Sequence, residues 1–152
     1  ALYTFDELSD AAKEVAREWY RECAGYPWWD ESMNSIKVFC DEFGVSIKDY
    51  SIGGYGYSYI ATDATNASFR GLKLKSINRD NMPTGYCIDC TLWNTFYDEF
   101  KRTGDALYAF NDAIDNAKRE IVADMEYQYT DESVDEMLII NEYEFTADGS
   151  IY

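Results

Sequence analysis

Apolar residues recur along this chain in two different rhythms. Ala12, Val15, Ala16, Trp19 and Cys23 follow helical spacing, with Leu8 one turn before them. Ser9 is placed to cap that helix, Thr4-Phe-Asp-Glu7 has the spacing of a capping box, and Gly25 and Pro27 end the run. Trp29, Met33, Ile36, Cys40 and Phe43 form a second stripe that predicts a helix over 29–43, stopped by Gly44. A short helix is expected over 91–103, with Phe96 and Phe100 on one side and Gly104 as its end. Asp105 then opens the most regular run, in which Leu107, Phe110, Ile114, Ala117, Ile121 and Met125 keep an i, i+3, i+4 rhythm over five turns. Thr130 caps a last helix through Val134, Met137 and Leu138, and Asn141 stops it.

The middle alternates instead. Val45 and Ile47, the Gly- and Tyr-rich stretch 51–63, Ser68 to Ile77, and Tyr86 to Leu92 all read as strands, with Asn81 to Gly85 as a turn. Glu142 to Thr146 reads as a final strand. The pattern predicts a single α+β domain over 1–152: a small antiparallel sheet of three to four strands packed against N-terminal and C-terminal helices.

Charge changes the picture. The 152 residues hold 29 acidic and 13 basic side chains and no histidine, a net charge of −16. Hydrophobic residues at 47% are too many for a disordered acidic tail, so the chain is expected to fold against its own repulsion. Residues 51–100 are nearly balanced, and the excess acid lies on the two helical flanks. Such a surface repels nucleic acid and anionic membranes, so neither is expected as a direct partner. No apolar run has the length of a membrane span, and the start has no export pattern. With four cysteines, that suggests reduced thiols in a cytoplasm.

Candidate chemistry is thin. Without histidine the commonest general base is missing, together with any Ser-His or Cys-His pair, so the chain is expected not to be an enzyme and to need no cofactor. Carboxylate pairs acting as acid and base remain the catalytic alternative. Cys87-Ile-Asp-Cys90 has the spacing of zinc knuckles and redox motifs. On a strand the two thiols point to opposite faces, and the redox form needs a helix start, so buried or inert thiols are the expected reading, with a metal site as the weaker one. Gly53-Gly-Tyr-Gly-Tyr57 lacks the strand-to-helix setting and the Lys of a phosphate cradle. Tyr55, Tyr57 and Tyr59 alternate and are expected on one sheet face, packed under a helix or presented to a partner. No calcium-loop pattern occurs.

The acids themselves are the stronger candidate. Off the apolar stripe of the long helix lie Asp105, Asp112, Asp115, Glu120, Asp124 and Glu126, several of them three or four apart and so about 5–6 Å from one another. The last helix adds Asp131, Glu132, Asp135 and Glu136, with nothing expected to offset them. Asp10, Glu14, Glu18 and Glu22 form an i, i+4 row on the first helix, beside Lys13, Arg17 and Arg21. A soluble, solvated surface is the plain reading. The functional one is a rigid anion spaced like phosphates.

The two ends resemble a family of small bacteriophage and prophage proteins. Phe5 to Tyr20 is similar to that family's opening F-D-E-L-S-x-x-A-K-x-x-A-R-x-x-Y, and Asn141 to Gly149 to its closing N-E-Y-x-F-T-x-D-G. The resemblance implies a phage product in a bacterial cytoplasm. No residue role comes with it. With the charge, it leads to the expectation of an anti-CRISPR or anti-restriction inhibitor that occludes a defence nuclease's basic groove with the acids named above, anchored by Tyr55, Tyr57 and Tyr59. A carboxylate- or metal-based enzyme and a phage structural protein are the alternatives.

Overall fold

The computed structural model describes residues 1–53 and 57–152. They gather into two compact units. The first joins both chain ends, Ala1–Pro27 and Asp124–Tyr152, and the second is Trp28–Ala123.

In the first unit, Glu7 Oε1 accepts the Thr4 N–H at 2.9 Å and starts a short 3-10 turn, Phe5–Glu7. The helix α1 (Asp10–Cys23) follows, capped by the Ser9 hydroxyl, which accepts the Ala12 N–H. The helix α5 (Asp131–Ile140) is capped by the Thr130 hydroxyl. Their apolar stripes meet: Phe5, Leu8, Ala12 and Ala16 pack with Val134, Leu138 and Phe145 in one buried cluster. Small alanines on α1 let the larger side chains of α5 approach closely. The expected strand at Glu142–Thr146 is instead a hook held by single bridges, Phe145 to Tyr3 and to Ile151. Phe145 is fully buried and meets the Phe5 ring edge-on at 6.5 Å.

The second unit holds α2 (Trp29–Glu42), α3 (Ile88–Thr103), the body of α4 (Ala106–Gln128) and the only named sheet among the described residues. That sheet has two antiparallel strands, β1 (Ile47–Ser51) and β2 (Tyr59–Thr62), with Tyr50 opposite Ile60 and an irregularity between Ile47 and Asp49. The α+β reading stands, but three to four strands do not. Ser68 to Ile77 forms two 3-10 turns, Asn66–Phe69 and Leu74–Ser76, and the Tyr86–Leu92 run enters α3. The terminal helices α1 and α5 pack on each other, and the sheet shares its unit with α2, α3 and α4. The core of this unit is aromatic. Phe39 of α2 stacks on Phe110 of α4 at 5.2 Å and takes Trp93 and Phe96 of α3 edge-on. Burying such rings is worth several kcal/mol each, since truncating one to alanine costs about 3–5 kcal/mol.

Two glycines separate backbone strain from close approach. Gly44 stops α2 at φ +66° with open space where a Cβ would go. Gly149, at φ +91°, lies so close to α1 that a Cβ would sit 2.1 Å from the Ala12 carbonyl oxygen. Gly44→Ala should therefore cost about 1–2 kcal/mol, the penalty of a left-handed residue. Gly149→Ala should cost more, because α1 has to move, and denaturant titration of both variants checks the order.

The same hook holds a pH-sensitive carboxylate. Asp148 Oδ1 accepts from the Thr146 hydroxyl at 2.6 Å and the Ser150 N–H at 2.9 Å. These bonds, Thr146 first, bring its pKa down from 3.8 to about 2. A depressed carboxylate adds stability that is complete above its unfolded pKa and lost as pH falls through the folded one. Between pH 3.8 and about 2 the hook should loosen, and Asp148→Asn should remove that part of the acid transition. Carboxyl NMR titration measures the midpoint directly.

Candidate functional site

Charge is divided unequally between the units. The first carries 15 acidic and 3 basic side chains, net −12, and the second 14 and 10, net −4. After Asp124 the chain contains no basic residue at all. The first unit stays compact because its few cations are placed where acids crowd.

That placement is a seam along α1 and α5. Arg17 reaches Asp135 with two parallel bonds, Nε to Oδ1 at 2.6 Å and a terminal nitrogen to Oδ2 at 2.9 Å, and also holds Glu14 at 3.1 Å. One turn on, Arg21 pairs with Asp131 and Glu18 and donates to the Tyr129 carbonyl at 3.0 Å. Hydrogen bonding to Asp135 raises the Arg17 pKa well beyond its ordinary value, and the Arg21 contact lowers that of Asp131. Forked Arg–carboxylate pairs fix orientation as well as charge.

The seam corrects the expectation that nothing offsets the acids of the last helix. Asp135 is half-buried against α1, and Asp131, exposed at the start of α5, is also neutralised from α1. Glu132 and Glu136 face outward, exposed, and have no hydrogen bond or ion pair among the described residues. The physical reason is helical phase: the four acids cover both flanks of α5, and α1 lies along one. Arg17 and Arg21, which the sequence shows only as neighbours of the acid row on α1, are the side chains that organise this face. Their signal was present, since arginines four apart match aspartates four apart at 131 and 135.

The expected row on α4 is also broken. Asp115 is held by Lys118 at 2.8 Å and Arg119 at 2.6 Å, both on its own helix. Glu120 accepts the Thr91 hydroxyl and Asp124 the Tyr26 hydroxyl. Asp105 caps α4 by accepting the Tyr108 N–H at 3.1 Å. Asp112 is half-buried and Glu126 exposed, each without an ion pair among the described residues. Asp105, Asp112, Asp115 and Glu120 belong to the second unit, and Asp124 and Glu126 to the first.

The tyrosines divide too. Tyr55 lies outside the described residues. Tyr57 is 85% exposed and stacks on Tyr59 at 5.9 Å. Tyr59 opens β2 and donates its hydroxyl to Asp49 at 2.7 Å, which raises its pKa. Both line an open groove with Asn111, Asp115 and Lys118 of α4.

What the first unit leaves outward is a mixed face on α5. Glu132 and Glu136 are one turn apart, and Ile140, 61% exposed, follows one turn later with Ile139 beside it. Two isoleucines on the water side of a helix in an anionic unit are a surface with a binding cost when left bare. Glu126 and Tyr127 end α4 in the same unit, both exposed. No group of three or more ligating side chains fit to hold a metal occurs among the described residues, and no helix is long and apolar enough to cross a membrane.

The Cys87–Cys90 expectation is overturned in its setting. The motif sits at the start of α3, with Cys87 as its N-cap, and not in a strand. The alternation of Tyr86 to Leu92 misled because Ile88, Asp89 and Leu92 are buried in helical phase, a buried aspartate standing where a polar strand position was read. Asp89 accepts three bonds, from Thr84 N–H at 2.9 Å, the Thr84 hydroxyl at 2.8 Å and Gly85 N–H at 3.1 Å, through Oδ2 alone.

The seam makes a stability prediction. The Arg17 and Asp135 side chains are 18% and 28% exposed, between the exposed and buried regimes. Arg17→Met and Asp135→Asn should each destabilise, and the double variant should lose less than their sum. The cycle should give a coupling of about 1–2 kcal/mol by denaturant titration.

Against known proteins the chain stands by its own geometry: no family model, curated protein or solved structure matches it.

Proposed function

We propose that this chain is a non-catalytic binding protein whose first unit enters the cationic groove of a nucleic-acid-binding protein and blocks it. The observation that carries this reading is the segregation of charge. Net −12 gathers in a unit whose arginines are taken up along the α1–α5 seam, which leaves Glu132 and Glu136 without an ion pair among the described residues. A cleft built to hold phosphates focuses its field on any rigid anion that fits. Glu132 and Glu136 supply carboxylates about 5–6 Å apart, near the spacing of successive phosphates. Ile139 and Ile140 add the apolar anchor that nucleic acid lacks.

The ends that resemble phage proteins fold together as this same unit, which favours a host defence nuclease, of CRISPR or restriction type, as the partner. The remaining candidate acids take a smaller part. Asp131 and Asp135 hold the unit together, and Asp115, Glu120 and Asp124 are engaged within the protein.

The test is displacement of labelled DNA or guide RNA from a panel of purified CRISPR effectors and restriction enzymes. The protein should displace nucleic acid from at least one, more weakly as salt rises. Glu132→Lys/Glu136→Lys should weaken displacement about tenfold or more without lowering the melting temperature, since both side chains are exposed. Displacement unaffected by this reversal would remove α5 as the effector surface, and no displacement across the panel would remove the reading.

A further inference from the structure

Cys87 and Cys90 take no part in the anionic surface, and their placement suits a different chemistry. Cys87 caps α3 and Cys90 is three residues on, its N–H donating to the Cys87 carbonyl at 3.1 Å. A helical turn sets such α-carbons about 5 Å apart, within the roughly 4.4–6.8 Å that a disulfide spans. Both cysteines are exposed while Ile88 and Asp89 between them are buried, so the two side chains share the outward side of the turn.

The turn is held from beneath. Asp89 ties it to Thr84 and Gly85, and the Thr84 hydroxyl lies 2.9 Å from that of Ser35 on α2. The second carboxylate oxygen, Asp89 Oδ1, is buried without a hydrogen-bond partner among the described residues. The Cys90 S–H points at the Met82 thioether at 3.1 Å, a soft contact that disulfide formation replaces with a soft bond. The chain carries its own comparisons. Cys23 is exposed but ends α1, at the opposite pole of a helix, and Cys40 is buried, which pushes its thiol up to about 12.

We propose that Cys87 and Cys90 form a thiol–disulfide exchange site that reduces a small disulfide such as glutathione disulfide. Attack by a thiolate is favoured at a helix N-terminus, where the peptide dipoles stabilise negative charge. The Cys87 thiolate attacks one sulfur of the external disulfide, forming a mixed disulfide as the external S–S bond breaks. The departing thiolate takes up a proton from water. Cys90 loses its proton and attacks Cys87 Sγ, and the Cys87–Cys90 bond forms as the second external thiolate leaves and is protonated. Two electrons pass from the protein dithiol to the external disulfide, which becomes two thiols. The site lies in the second unit and works independently of the outer face of α5.

The test equilibrates the full chain with mixtures of reduced and oxidised glutathione, quenches with acid, and maps thiols and disulfides by peptide mass. The wild type should gain one disulfide, Cys87–Cys90, and release two glutathione thiols per chain. Cys90→Ser should accumulate a glutathione adduct at Cys87, about tenfold or more faster than at Cys23 in the same molecules. Cys87→Ser should lose the fast reaction. Adduct formation at Cys87 no faster than at Cys23, thiols that both survive excess oxidised glutathione, or zinc bound by the purified dithiol would each overturn the proposal.

Discussion

The forked pairing of Arg17 with Asp135, joined one turn on by the single contact of Arg21 with Asp131, is the contact on which the first unit depends. The C-terminal segment brings nine acids and no cation of its own. Gathered into 56 residues with the N-terminal helix, those charges repel one another. Burial of Phe5, Phe145, Val134 and Leu138 drives the ends together. The two arginines favour this register, because this alignment of α1 on α5 closes the Arg17 fork on Asp135 and brings Arg21 to Asp131 while the alanine face of α1 receives the larger side chains.

That alignment also sorts the acids by role. Carboxylates on the α1 side of α5 are paired with its arginines, and those a helical phase away are left without an ion pair among the described residues. A surface formed in this way is rigid, since its helix is fixed by the opposite flank, and rigidity separates a competitor for a groove from a flexible acidic tail that must order itself to bind. The second unit follows different physics. Its core is a stack of aromatic rings, and its charge is closer to balance, with 14 acids against 10 bases.

Much of this was legible in the residues. Helices with one regular apolar stripe and a matching cap were readable nearly to the residue: Ser9, Thr130, Gly44 and Gly104 mark ends that the chain does adopt. Of the expected strands, those at Ile47 and within 51–63 form the two-stranded sheet, and the others do not, because alternation over six or seven residues occurs equally in short 3-10 turns and in the first turns of a helix. At Tyr86–Leu92 the deciding fact was burial of Asp89 on the Thr84–Gly85 backbone, a contact that no periodicity shows. Acid positions were readable as residues but not as a face, since neutralisation of Asp135 comes from Arg17, 118 positions away. The matching four-residue spacing of two arginines and two aspartates is the trace that long-range pairing left in the sequence. The motifs at the two ends make sense in the same way: Gly149 is required by the Ala12 carbonyl, and Trp19 meets Tyr143 edge-on at 5.3 Å.

The central claim is that the outside of the first unit is charged in excess of what its seam neutralises. The most direct measurement is amide hydrogen exchange of α1 and α5 in the whole protein at low and at high salt. Excess repulsion that salt screens predicts slower exchange at high salt, because the half-buried Arg17–Asp135 fork is screened less than the exposed acids. Faster exchange at high salt would mean that attraction dominates and the surface is charge-balanced, and the account would fail at its base.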